Sequence, residues 1–166
     1  MSARTALDWK SDENGFYSDI ADLIRQISSK PAEDLHELWR RIVFTILVSN
    51  TDDHLKNHGF VYAGNDQWRL SPAFDINPSP SRHRILETGI IKGGAFDASL
   101  DIAIEACEFF DLVSSEARQQ ANSIAKTIAG NWKEALRAEG ATVVDVKNYT
   151  AAFEHADAVK ALRLTW

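Results

Sequence analysis

The sequence predicts a mainly α-helical domain carrying one small β-hairpin and a long irregular loop. Three observations carry that expectation. Apolar residues recur at helical spacing through the first and last thirds of the chain. Between them, Phe60-Val61-Tyr62, Gly64-Asn65-Asp66 and Trp68-Arg69-Leu70 read as two short strands about a polar turn. From Ser71 to about Ala98 three prolines and three glycines break any regular period. A length of 166 residues suits a single domain spanning 1–166. With 45% apolar residues and 25% charged, the chain can fill a core, which excludes a disordered linker.

Each element follows from its residues. Ile20, Leu23, Ile24 and Ile27 place an amphipathic helix over about 18–29. Pro31 suits the first turn of a second helix, where its missing N–H would be unpaired in any case. Leu35, Leu38, Trp39, Ile42, Val43, Ile46 and Leu47 give that helix a wide apolar stripe. Asn50, tolerant of the left-handed conformation, is its expected stop. Ahead of them, residues 1–16 alternate small and charged types and end in the turn-like Asp12-Glu13-Asn14-Gly15.

Beyond the loop, Leu100, Ala103, Ile104 and Cys107 share one helix face. Ser114 or Ser115 is expected to cap a longer helix through Ala117, Ala121, Ile124, Ile128 and Trp132, which Gly140 stops. A last helix is expected from about Val143 to Leu162.

The net charge of −6 leaves no broad basic face, so direct nucleic-acid binding is not expected. No stretch approaches eighteen uncharged apolar residues, and the first fifteen residues are rich in charge. With a single cysteine, Cys107, an internal disulfide is impossible. A cytoplasmic protein is expected.

The chemistry concentrates in Asn50-Thr51-Asp52-Asp53-His54-Leu55-Lys56-Asn57-His58, directly after the most apolar helix. Such density on a loop held by a rigid element is how sites are commonly positioned. A second group, Ser71-Pro72-Ala73-Phe74-Asp75-Ile76-Asn77-Pro78, follows the hairpin. Asp75 lies between Phe74 and Ile76, where a buried carboxylate would need a partner such as a cation. Phosphoryl transfer asks for a carboxylate at the attacking hydroxyl, an amide or carboxylate oxygen on the metal, and a further metal carboxylate. Protein-kinase catalytic loops set the base Asp and the metal Asn five residues apart, as Asp52 and Asn57 are here. An Asp after Ala-Phe would then take the part of the Asp-Phe-Gly aspartate, returned to the first loop by the hairpin.

At these residues, Asn50 to Asn57 and Trp68 to Pro78, the chain resembles the C-terminal region of HipA-like kinases. These are the serine/threonine-kinase toxins of bacterial HipA–HipB toxin–antitoxin pairs. The likeness extends from Ser2-Ala3-Arg4-Thr5 to the helices around Trp132, and Asp-x-His-x-x-Asn also echoes phosphoinositide-type kinases. It implies the helical larger lobe of a kinase fold, with Asp52 as catalytic base, Asn57 and Asp75 holding magnesium, and ATP as donor. His54 and Lys56 would steady the γ-phosphate. It also implies a protein substrate such as an aminoacyl-tRNA synthetase, notably the glutamyl enzyme, and a DNA-binding HipB-type antitoxin as partner.

No Gly-x-Gly-x-x-Gly is present, and Gly93-Gly94 follows the catalytic loop instead of preceding it. In the family, sequence like Ser2 to Thr5 lies inside the catalytic domain. Met1 is therefore expected to mark an internal point, with the N-terminal lobe outside this chain and the 166 residues inactive alone. Two other functions compete. One is a metal-dependent phosphohydrolase using Asp52, Asp53, His54 and Asp75, which would favour imidazole-ligated zinc, manganese or iron. The other is a non-catalytic helical module docking a basic partner through its acidic surface.

Blander readings attach to several residues. Asp52 and Asp53 could simply cap a turn. His58 is expected to be an exposed loop histidine, and Arg82-His83-Arg84 a solvated stretch. Trp39 and Cys107 are expected in the core, and Trp68 in packing.

Overall fold

The structure, a computed structural model, describes residues 1–10, 15–81 and 83–166. Asp12 to Asn14 of the expected turn, and Arg82, lie outside them. The centre of the fold is α3 (Pro31–Leu47), and every residue of its apolar stripe is buried, Trp39 completely. Pro31 opens the helix, and Glu33 and Asp34 in its first turn complement the positive end of the helix dipole. The Trp39 indole N–H donates to the Ala103 carbonyl at 3.0 Å, so this large side chain is buried without an orphaned donor.

Around α3 pack α2 (Tyr17–Ile27), the short α4 (Leu100–Glu105) and the long α5 (Ser114–Ala138). The hairpin is β2 (Phe60–Gly64) against β3 (Gln67–Leu70), antiparallel, with Phe60 opposite Leu70 and Tyr62 opposite Trp68. Asn65 and Asp66 both take positive φ, as a tight hairpin turn requires. Phe60 and Leu70 anchor the hairpin's base in the core, while Val61 and Tyr62 near its tip are exposed. Trp68 packs edge-on against Tyr62. The mainly helical class is as expected.

Several local expectations are corrected. The left-handed residue after α3 is Ser49 (φ 56°), one position before Asn50. A four-residue helix, α1 (Ala3–Ala6), precedes a two-residue strand, β1 (Gly15–Phe16). The long loop is irregular over most of its length, yet Thr88–Gly89 (β4) pairs in parallel with β1, and Leu86 and Ile90 are buried. Those apolar side chains hold it on the core. Cys107 is buried, on a 3₁₀ turn (Cys107–Phe110) that follows α4, not on α4 itself.

Val113, not a serine, occupies the N-cap of α5, with no side-chain cap. Past α5, Gly140 takes the positive φ of a helix stop, 91°. The expected final helix is two, α6 (Val143–Phe153) and α7 (Ala156–Leu162). The break comes at His155, whose extended backbone and ring nitrogen cap α7. The α5 side chain Asn122 closes the other end of α7, donating to the Ala161 and Leu162 carbonyls at 2.9 and 3.0 Å. Arg84 is not solvated: it reaches the Ser49 hydroxyl (2.7 Å), the Ile46 and Ala98 carbonyls and Asp157, joining α3, the long loop and α7.

Candidate functional site

The site grows out of the C-terminal end of α3. Ser49 turns the chain, and its hydroxyl donates to the Ala152 carbonyl at 3.0 Å, fixing the loop's start to α6. The following backbone is stitched to the long loop at three points. Ser79 N–H donates to Ser49 O (3.2 Å), Glu87 N–H to Thr51 O (3.1 Å), and the Thr88 hydroxyl to Asp53 O (2.6 Å). A loop held so often along its backbone presents its side chains in a defined direction.

Asp52 and Asp53 part company here. The Asp52 side chain is 82% exposed, with Oδ1 2.8 Å from His54 Nε2, whereas that of Asp53 is 6% exposed. Asp53 Oδ2 accepts from the Tyr17 hydroxyl and lies 3.0 Å from His58 Nε2. Burial, and then the Asp53 charge, push the Tyr17 phenol well above its usual range, so it remains a donor. His58 is therefore buried, contrary to the expected exposed histidine, because the inward carboxylate needs partners.

Leu55–Asn57 form one 3₁₀ turn, with Leu55 pressed into the core and Lys56 exposed. That turn buries Asn57 and aims its amide at the second segment. Asn57 Nδ2 donates to Asp75 Oδ2 at 2.9 Å, and Asn77 Nδ2 donates to Asp75 Oδ1 at the same distance. The hairpin makes this possible: Ser71 N–H donates to Gly59 O at 2.8 Å, bringing the two segments alongside. Gly59 is needed there, since a Cβ would meet the Ser71 hydroxyl at 2.8 Å and the Phe74 ring at 3.3 Å. Asp75 takes a left-handed φ of 57°. It is exposed, and so is Phe74, so burial does not force a cation on Asp75, contrary to expectation. What holds the carboxylate is the pair of amides.

Asn57, Asp75 and Asn77 are oxygen donors, and one or two such protein ligands completed by phosphate oxygens suit magnesium. Among the described residues no three His, Cys, Asp or Glu side chains gather into a metal group. Of the four residues named for the hydrolase alternative, Asp53 turns inward and His54 lies against Asp52. Sequence reasoning missed Tyr17 and underrated His58. The adjacency of His58 to Asn57 was a usable signal, but nothing near Tyr17 pointed to a loop 36 residues away.

Residues 1–161, which include both segments, match the family model of the HipA-like C-terminal domain. The chain belongs to that family. A Haemophilus influenzae protein named "Putative kinase" is 34% identical over 67 residues, 39% of this chain and 20% of that protein. Two Sinorhizobium fredii proteins are also similar. "Putative kinase Y4mE" is 30% identical over 69 residues (41% of this chain, 16% of that one). "Putative kinase Y4dM" is 44% identical over 43 residues (26% and 10%). The matched stretch thus spans a fifth or less of each curated relative. The kinase names of these relatives mark the family as kinase-like. Among the described residues no helix is long and apolar enough to cross a membrane.

Proposed function

We propose that this chain supplies the catalytic loop and metal-holding residues of a HipA-like serine/threonine protein kinase. The observation that carries the reading is the Asn57–Asp75 hydrogen bond. It joins the two segments that resemble the two halves of a kinase site, with Asp52 five residues before Asn57.

In this reading Asp52, exposed to an incoming protein, accepts or orients the proton of a serine or threonine hydroxyl. His54 holds one Asp52 oxygen, leaving the other to face the substrate. Asn57, through its amide oxygen, and Asp75 would hold magnesium. When bound, magnesium would offset the charge that develops on the ATP phosphates. Lys56, exposed one residue from Asn57, would add positive charge near the γ-phosphate. Turnover further requires a nucleotide-covering lobe with a phosphate-gripping lysine, so the 166 residues by themselves would not catalyse transfer. The proposal extends to a cytoplasmic setting, an aminoacyl-tRNA synthetase as substrate and a HipB-type antitoxin as partner.

The test is paramagnetic broadening by substoichiometric Mn²⁺ in NMR spectra of the labelled chain. The expected result is broadening centred on Asn57 and Asp75 and lost in Asp75→Ala. Broadening centred elsewhere, or indifferent to that substitution, would overturn the reading.

A further inference from the structure

We propose that Asp53 is a positioning residue, which with Tyr17 and His58 sets the separation of Asp52 and Asn57. The inference rests on the kinase reading and deepens it. Asp53 follows Asp52 by one residue and His58 follows Asn57 by one. A side-chain bond between Asp53 and His58, 3.0 Å long, therefore closes residues 53–58 into a ring that contains Asn57 and begins one residue after Asp52. The Tyr17 hydroxyl binds the same Asp53 oxygen and anchors the ring to the first turn of α2. The Tyr17 and His58 rings meet edge-on, centroids 5.4 Å apart, which limits sliding between them. On the outer side, Thr88 Oγ1 holds the Asp53 carbonyl at 2.6 Å.

Stability alone gives little reason for this arrangement. Tyr17, Asp53 and His58 are all buried, and apolar side chains of similar volume would fill the space without desolvating a carboxylate. Hydrogen bonds have direction, which apolar packing lacks. Here that direction turns Asp53 inward while Asp52, one residue earlier, faces solvent. A loop free to rotate about 52–53 would present either carboxylate, and the Asp52–Asn57 spacing would vary.

Tyr17→Phe removes one hydroxyl and keeps the ring, and Asp53→Asn keeps the shape and removes the charge. Trp39→Phe serves as a core-weakening control away from the loop. Two readouts are taken on the 166-residue chain: hydrogen exchange at the Asn57 and His58 amides, which donate to His54 O and Leu55 O, and Mn²⁺ affinity from broadening at Asn57 and Asp75. Tyr17→Phe and Asp53→Asn are expected to speed loop exchange tenfold or more and to weaken Mn²⁺ several-fold. Amides of Ile42 and Ile46 in α3 should stay at wild-type rates in both. Trp39→Phe should do the reverse, which separates positioning from general destabilisation. Should Asp53→Asn fail to fold, the near-isosteric Tyr17→Phe decides. Unchanged loop exchange and unchanged Mn²⁺ affinity would overturn the role of Asp53 alone. No broadening at Asn57 and Asp75 in the unaltered chain would overturn the kinase reading and the positioning role together.

Discussion

Asn57 and Asp75 lie eighteen residues apart in the chain and meet side chain to side chain at 2.9 Å. The hairpin spends most of that interval going out and back, so its two ends return to one place. The bond joins a buried amide to an exposed carboxylate. That asymmetry lets the two members be separated by experiment, since only the buried one carries much of the fold.

Removing Asp75 should therefore cost function and spare the fold. Its carboxylate is exposed, and truncating it opens the buried Asn57 amide to the same water, so Asp75→Ala should change stability by no more than ~1 kcal/mol. On the proposed kinase reading, the same substitution in the full-length protein should lower phosphoryl transfer by ~10²-fold or more, as loss of a charge-stabilising group does. Thermal unfolding and transfer of labelled phosphate to protein check the two halves. Retained transfer would remove Asp75 from the site.

How much of this was legible beforehand depends on the range of the interactions. The stripe of α3, the hairpin and the 52–57–75 spacing are local patterns, and each was readable from residues close in sequence. Tyr17 was not legible, because its meaning comes from Asp53, which the fold delivers from a distant loop. Arg84 reads as solvated because it sits in a basic cluster within the long irregular loop. Its four partners come from α3, Ser49, Ala98 and α7. The break between α6 and α7 escaped periodicity because apolar residues continue through it, and only the His155 cap marks the boundary.

Gly15 offers a route to the loop from beneath. A Cβ at that position would overlap the Cγ, Cδ1 and Cδ2 of Leu55, the side chain that seats the 3₁₀ turn. Gly15→Ala should cost ~1–3 kcal/mol, the usual range for overpacking a tight contact. The strain should fall on Leu55 and displace Asn57 relative to Asp75. Amide shifts concentrated at 54–58 and 75–77 would report this. Shifts confined to α2 would show that β1 yields instead.

Asp34 ties the hairpin to α3. Its buried carboxylate accepts from the Ser28 hydroxyl (2.7 Å), the Leu70 N–H (3.0 Å) and the Arg69 guanidinium (2.9 Å from Nη2). Asp34→Ala strands the two buried donors and leaves Arg69 without its main partner. A loss of ~2–4 kcal/mol is expected, short of the full cost for a buried pair because Arg69 remains partly in water. Urea unfolding measures it. A loss below ~1 kcal/mol would mean that water enters and satisfies the donors.

His155 should make stability depend on pH. Its Nε2 lies 3.1 Å from the Leu47 carbonyl, and its Nδ1 accepts from the Ala158 N–H at 3.4 Å, an arrangement that needs the neutral ring. Burial and then the nearby Arg84 charge lower its pKa, with the Leu47 carbonyl and Asp157 opposing. In the window between that lowered value and the ordinary value of about 6.5, the unfolded chain binds the proton and the folded chain does not. Stability therefore falls as pH drops from about 7 through the ordinary histidine range, and levels off once the folded ring also protonates. Protonation removes the acceptor that caps α7, a contribution of ~1 kcal/mol for a helix N-cap. His155→Asn keeps a capping side chain and cannot titrate, so the variant should lose less stability than wild type between pH 7.5 and pH 5.5. Urea midpoints of the two proteins at both pH values decide the matter. Equal losses would place the pH dependence on other groups and leave His155 a purely geometric cap.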